Sequence, residues 1–124
     1  MRERCLIVDD NERFLEVATS SLSREGFEII GSARTREEAI AAARRLDPDV
    51  VLVDVNLGPE SGFDVARELV EAFPDLKSGV VLISTRSELD YADLVRESPA
   101  VGFIAKSRLS AAAIRELLSS TNHR

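Results

Sequence analysis

The stretch Val50-Val51-Leu52-Val53-Asp54 decides the fold of this chain. Four apolar residues in a row, three of them β-branched, are the pattern of a strand covered on both faces, as in the middle of a parallel sheet, and the carboxylate stands where the strand ends. In open α/β sheets the crevice beyond the carboxyl ends of the strands is where ligands bind. Taken alone, Asp54 reads as a turn residue, because aspartate after a strand commonly bonds its own loop backbone. The other apolar runs argue against that reading, since they too end in groups able to do chemistry.

Working outward, Cys5-Leu6-Ile7-Val8 is a second buried strand that stops at Asp9-Asp10, and Asn11 can cap a helix over Glu12 to Glu25 with Phe14, Leu15, Ala18 and Leu22 at helical spacing. Gly26 supplies its left-handed stop. Phe27 to Gly31 reads as a strand nearer a sheet edge, and Thr35-Arg36-Glu37-Glu38 is a capping box opening a helix with Ala39, Ile40, Ala43 and Leu46 inward. Asp47-Pro48 ends that helix, because proline disfavours a helical residue before it. After Asp54, residues 55–62 read as a long loop, followed by a helix on Phe63, Ala66, Leu69, Val70 and Phe73 that Pro74-Asp75 closes. Gly79 to Ser84 is a buried strand ending in a hydroxyl. A short helix over Leu89 to Arg96 carries few apolar anchors, and Ser98-Pro99 breaks it. Val101 to Ala105 is the last strand, with Lys106 at its end, and Ser110 caps a final helix through Ile114, Leu117 and Leu118. The pattern predicts one domain over 1–119, with 120–124 a disordered tail or the start of a linker. Five strands alternating with five helices predict an α/β fold, a right-handed, doubly wound, five-stranded parallel sheet.

Composition narrows the function. A length of 124 residues fits one core, and 16 basic against 22 acidic residues give a net charge of -6, which argues against direct, sequence-independent nucleic-acid binding. The absence of Trp, with one Tyr and five Phe, leaves no row of stacking platforms for single strands. Cys5 is the one cysteine, so no internal disulfide forms, and its apolar setting predicts a buried, inert thiol. The N-terminal apolar run is too short for a signal peptide or a membrane span, which predicts a cytoplasmic chain with no membrane partner. His123 lies in a polar tail without partners and carries no functional reading.

Four strand ends carry reactive groups: Asp9 with Asp10, Asp54, Ser84 and Lys106. Singly, each has a plain explanation: a helix cap, a turn residue, a hydroxyl on backbone, a solvated charge. On one sheet they converge. Crowded carboxylates repel unless a cation sits among them, and oxygen ligands with room for water suit Mg²⁺. An ammonium and a hydroxyl opposite complement the equatorial oxygens of a phosphoryl group, leaving Asp54 between them as the nucleophile that would carry it as an acyl phosphate.

These residues resemble the receiver domain of bacterial two-component response regulators. The resemblance runs from Leu6-Ile7-Val8-Asp9-Asp10-Asn11 through Val53-Asp54-Val55 and Leu82-Ile83-Ser84 to Gly102-Phe103-Ile104-Ala105-Lys106. It implies a flavodoxin-like three-layer sandwich with sheet order 2-1-3-4-5, and a signalling domain that phosphorylates and dephosphorylates itself and is not a turnover enzyme. By it Asp54 is the phosphoacceptor, Asp9, Asp10, Asp54 and the backbone carbonyl of Asn56 hold Mg²⁺, Lys106 contacts the phosphoryl group, and Ser84 with Phe103 forms the switch. The implied partners are a sensor histidine kinase or phosphotransfer protein, and a second copy of the chain through the face of helix 4, strand 5 and helix 5. Arg86 and Asn56 match positions that tune dephosphorylation. Two departures stand out: Ser107 replaces the proline usual after the lysine, for which a trans bond is expected, and Leu57-Gly58-Pro59 displaces the proline usual after the acceptor. The chain reads either as a stand-alone receiver or as a fragment of a regulator with a DNA-binding domain downstream.

Three rivals compete. A phosphatase of the haloacid-dehalogenase type also uses a strand-end aspartate with Mg²⁺, but wants an acid two residues on, where Asn56 stands, and a cap insertion that is missing. A flavin-binding flavodoxin-like protein needs a hydroxyl- and glycine-rich phosphate loop after the first strand, where Asp9-Asp10 would repel phosphate. Gly58 to Gly62 is no hydrolase elbow, since its serine is fourth and not third. A degenerate receiver acting only as an interaction module would not need the full set of acids, lysine and hydroxyl.

Overall fold

The computed structural model describes residues 2–121. Five parallel strands, β1 (Arg4–Val8), β2 (Glu28–Ala33), β3 (Val50–Asp54), β6 (Val80–Ser84) and β7 (Gly102–Ala105), form one sheet in the order β2-β1-β3-β6-β7. A separate two-stranded antiparallel ribbon, β4 (Asn56–Leu57) with β5 (Glu60–Ser61), lies between β3 and β6 in the chain, so the main sheet, counted by its own five strands, has the expected 2-1-3-4-5 order. Helices α1 (Glu12–Arg24), α2 (Arg36–Leu46), α3 (Gly62–Ala72) and α4 (Ala92–Glu97) are the crossovers, and α5 (Ala111–Thr121) follows the last strand.

Period-two alternation along each strand builds two cores. Leu6, Val8, Val51, Val53, Val80 and Leu82 face α2 and α3, and Cys5, Ile7, Val50, Leu52, Val81 and Ile83 face α1 and α5. Every residue of β3 and β6 is buried, which is why these strands read as unbroken apolar runs, while β2 at the edge is mostly half-exposed.

The caps are those the side chains predict. Asn11 Oδ1 accepts from Phe14 N, Thr35 Oγ1 from Glu38 N, and Ser110 Oγ from Ala113 N. Glu38 reaches back one residue further than the capping box requires, to Arg34 N at 2.9 Å. The first turn of α5 is also capped from outside, by Glu25 Oε1 on Ala111 N at 2.7 Å.

Several expectations need correction. The edge strand begins at Glu28 and runs to Ala33, because Phe27 is wholly buried beneath it and does not pair. The loop 55–62 contains the β4–β5 ribbon, turned at Gly58 with φ +61°. The helix expected over Leu89 to Arg96 is a 3₁₀ turn, Glu88–Tyr91, joined to the short α4, and none of these residues is buried. Asp47 leaves α2 in the left-handed region at φ 51°, where its N–H still bonds Ala43 O. Helix α5 runs as far as Thr121, into the stretch expected as tail or linker from 120, and 122–124, with His123, lie outside the described residues. No peptide bond is cis among the described residues, so Lys106 to Ser107 is trans.

Burial pushes the Cys5 thiol up to about 12, with the charge of Glu3 a smaller cause. Since only thiolate reacts, maleimide labelling at pH 8 should be at least about tenfold slower in the folded chain than in urea. Equal rates would contradict the packing of β1.

Candidate functional site

The same alternation that builds the cores assembles the site. Continuing the β1, β3 and β7 patterns past their apolar residues puts Asp9, Asp54 and Lys106 on the α1 and α5 side of the sheet, in line with Ile7, Leu52 and Ile104. Ser84 and Phe103 continue the opposite face, in line with Leu82. Four strands thus deliver their terminal side chains to one rim, split between two faces.

Lys106 Nζ lies 2.7 Å from Asp9 Oδ2 and 3.3 Å from Asp54 Oδ2, so one ammonium joins the two carboxylates. It also sits 4.2 Å from the centre of the Phe14 ring, whose π face favours a cation and excludes water from one side. Backbone N–H groups hold the other oxygens: Asn11 N donates to Asp9 Oδ1 at 2.8 Å and Asn56 N to Asp54 Oδ1 at 3.1 Å. Asp9 is fully buried and Asp54 only 6% exposed, whereas Asp10 is open to solvent. Burial pushes Asp54 up from the ordinary 3.8 to about 6, with the charge of Asp9 the second cause and only partial relief from Asn56 N and Lys106.

One cation against buried like charges leaves the site short of positive charge. Although Lys106 is close enough to Asp9 Oδ2 for an ion pair, it is not aligned as a hydrogen-bond donor, and this buried oxygen has no hydrogen-bond partner among the described residues. Carboxylate oxygens of Asp9, Asp10 and Asp54 lie within 4.8 Å of one another. An all-oxygen donor set with an unsatisfied buried member fits a hard divalent cation such as Mg²⁺.

Ser84 is wholly buried at the end of β6, its Oγ accepting from Arg86 N at 3.0 Å. Phe103, two residues before the end of β7, is partly buried. Asn56 sends its side chain away from the acids, donating from Nδ2 to Tyr91 Oη at 3.2 Å. Reading the sequence missed Phe14 and Tyr91. In the sequence Phe14 reads only as part of the core stripe of α1, and its one signal is that it is an aromatic within a helical turn of the acid pair. Tyr91 offered none, because its partners are far away in the chain.

Comparison with known proteins now has a geometry to explain. A family model described as the response regulator receiver domain matches residues 5–119. The chain belongs to that family. Receiver domains are the phosphoacceptor modules of two-component systems, and this chain is one of them. Among curated relatives, it is 33% identical over 104 residues to the response regulator GacA of Pseudomonas viridiflava, covering 83% of this chain and 48% of that protein. It is 37% identical over 110 residues to the DNA-binding response regulator MtrA of Mycolicibacterium paratuberculosis, covering 86% and 45%. The receiver chain therefore spans less than half the length of these relatives. A solved response regulator from Thermotoga maritima superposes with a TM-score of 0.78 at 27% identity, covering 96% of this chain and 99% of that one. Among the described residues no helix is long and apolar enough to cross a membrane.

Proposed function

We propose that Asp54 of this receiver accepts a phosphoryl group from the phosphohistidine of a sensor kinase or phosphotransfer protein, or from a small acyl phosphate, and that the chain serves as a switch and not as a turnover enzyme. The observation that carries this reading is the buried carboxylate of Asp54 at the end of β3, bridged to Asp9 by Lys106. A carboxylate oxygen of Asp54 attacks phosphorus, and the bond from phosphorus to the donor breaks with its electron pair leaving on the donor. Lys106 would move from the carboxylate to the new phosphoryl oxygens, and the Ser84 hydroxyl, which accepts from Arg86 N at the end of β6, would donate its proton to another. Asp9, Asp10, Asp54 and the backbone carbonyl of Asn56 would hold Mg²⁺, which supplies neutralising charge to the transferring oxygens. The unit is taken as 1–119, in keeping with the family match over 5–119.

The output face in this reading is α4, β7 and α5. A shallow groove of about 370 Å³ runs there, lined by Ser87, Phe103, Arg108 and Leu117 among others, and the neighbouring Leu89 and Leu94 are 88% and 51% exposed. A second copy of the chain or a downstream domain would cover it.

Incubation with Mg²⁺ and acetyl phosphate should add one base-labile phosphoryl mass, and EDTA should prevent it. Asp9→Asn and Asp10→Asn should each slow uptake by about tenfold or more, since each removes a ligand or a charge beside one. Wild-type rates in both variants would reduce the acids to loop and cap groups.

A further inference from the structure

We propose that Tyr91 is a positioning residue that links the Asp54 site to α4, through its hydroxyl on Asn56 and its ring between Phe63 and Phe103. The proposal rests on Asp54 being the acceptor. The turn Glu88–Tyr91 and helix α4 have no buried residue, and α4 has no side-chain cap. What holds this segment down is a short row of partly buried side chains that includes Tyr91 and Val95. Of these Tyr91 reaches towards the acids. Its hydroxyl accepts from Asn56 Nδ2 at 3.2 Å, and the same Asn56 donates its backbone N–H to Asp54 Oδ1 at 3.1 Å. Its ring centre lies 5.8 Å from that of Phe63, in the first turn of α3, and 6.3 Å from that of Phe103, on β7, both in tilted contact.

The acceptor carboxylate is thus one residue and two hydrogen bonds away from the first residue before α4. A change at Asp54 Oδ1 disturbs the Asn56 N–H, the Asn56 amide carries the shift to the Tyr91 hydroxyl, and a rotation of Phe103 acts on the same ring from the other side. Because the segment has so little else to hold it, it follows the tyrosine. Such a link is also visible spectroscopically, since Tyr91 is the one tyrosine of a chain without tryptophan.

The test uses the whole chain with Mg²⁺ and acetyl phosphate, following the phosphorylated fraction by mass, tyrosine emission, and amide exchange over Ala92 to Glu97. In the wild type both emission and exchange should change with phosphorylation. Tyr91→Phe keeps the ring and removes only the hydroxyl, so labelling should stay within twofold while the exchange response per phosphorylated molecule falls at least threefold. Asn56→Ala should produce the same deficit per phosphorylated molecule, and the double variant no more than either single. A wild type that labels without any change in tyrosine emission, a full exchange response in Tyr91→Phe, or additive deficits would each overturn the link alone. A wild type that takes no phosphoryl group would overturn it together with the assignment of Asp54.

Discussion

Asp54→Asn is expected to abolish phosphoryl uptake and at the same time to make the metal-free protein more stable. The first effect follows from chemistry: an amide oxygen is too poor a nucleophile to form the acyl phosphate, so labelling by acetyl phosphate should fall by about a hundredfold or more. The second follows from electrostatics. Burial, and after it the charge of Asp9, raises Asp54 from 3.8 to about 6 in the folded chain. A group whose folded-state value lies above its unfolded one binds its proton more tightly when folded, so its contribution to stability is full below about pH 3.8 and is lost as the pH rises to about 6. The shift alone would be worth about 3 kcal/mol and solvent at the rim screens part of it, so at pH 7 the wild type carries a penalty on the order of 2 kcal/mol that asparagine removes, while the amide oxygen can still accept from Asn56 N. Urea denaturation in EDTA should show the variant ahead by that order at pH 7 and nearly level with the wild type at pH 4. Mg²⁺ should close the gap from the wild-type side, because an ion bound only by the folded carboxylates stabilises by mass action. A variant less stable than the wild type at pH 7 in EDTA would show that Lys106 already neutralises the site. Labelling undiminished in the variant would refute the acceptor assignment.

Gly62→Ala is expected to be the most damaging single methyl group in the molecule. Gly62 opens α3 directly beneath the end of β3, its N–H bonding Val55 O at 2.7 Å. A Cβ there would stand 2.0 Å from the backbone oxygen of Asp54 and 2.7 Å from both Asp54 C and Val55 Cα. These are backbone atoms of a buried strand end and cannot swing aside like a side chain, so the helix or the acceptor must move. The cost should be about 3 kcal/mol or more, seen as a fall in Tm on the order of 10 °C, with slower phosphoryl uptake in whatever remains folded. Gly58→Ala is the comparison. Its φ of +61° makes alanine strained there, but its Cβ would meet only Asp10 Oδ2 at 3.3 Å, so about 1 to 2 kcal/mol is expected. A Gly62→Ala chain as stable as Gly58→Ala would mean that α3 does not press on the acceptor.

What the amino-acid sequence determined by itself is whatever depends on neighbours along the chain. The apolar runs of β1, β3 and β6 identify buried strands because each residue needs cover on both faces, and Asn11, Thr35 and Ser110 announce helix starts because a cap bonds an N–H two or three residues on. The acids, hydroxyl and lysine at the strand ends were legible for the same reason: parallel strands bring their carboxyl ends to one rim. Tertiary structure decided everything set by distance in space. That Lys106 bridges Asp9 and Asp54 over the Phe14 ring while Ser84 and Phe103 lie across the sheet follows from strand parity and register, and a one-residue slip would reverse it. Phe27 looks in the sequence like the start of the edge strand, since an apolar residue reads alike whether it pairs or packs beneath its neighbours. The division of the fourth helix and the Asn56–Tyr91 bond have weak local signals or none, because the groups that decide them lie far apart in the chain, whereas the β4–β5 ribbon is local but too short to show an alternating pattern.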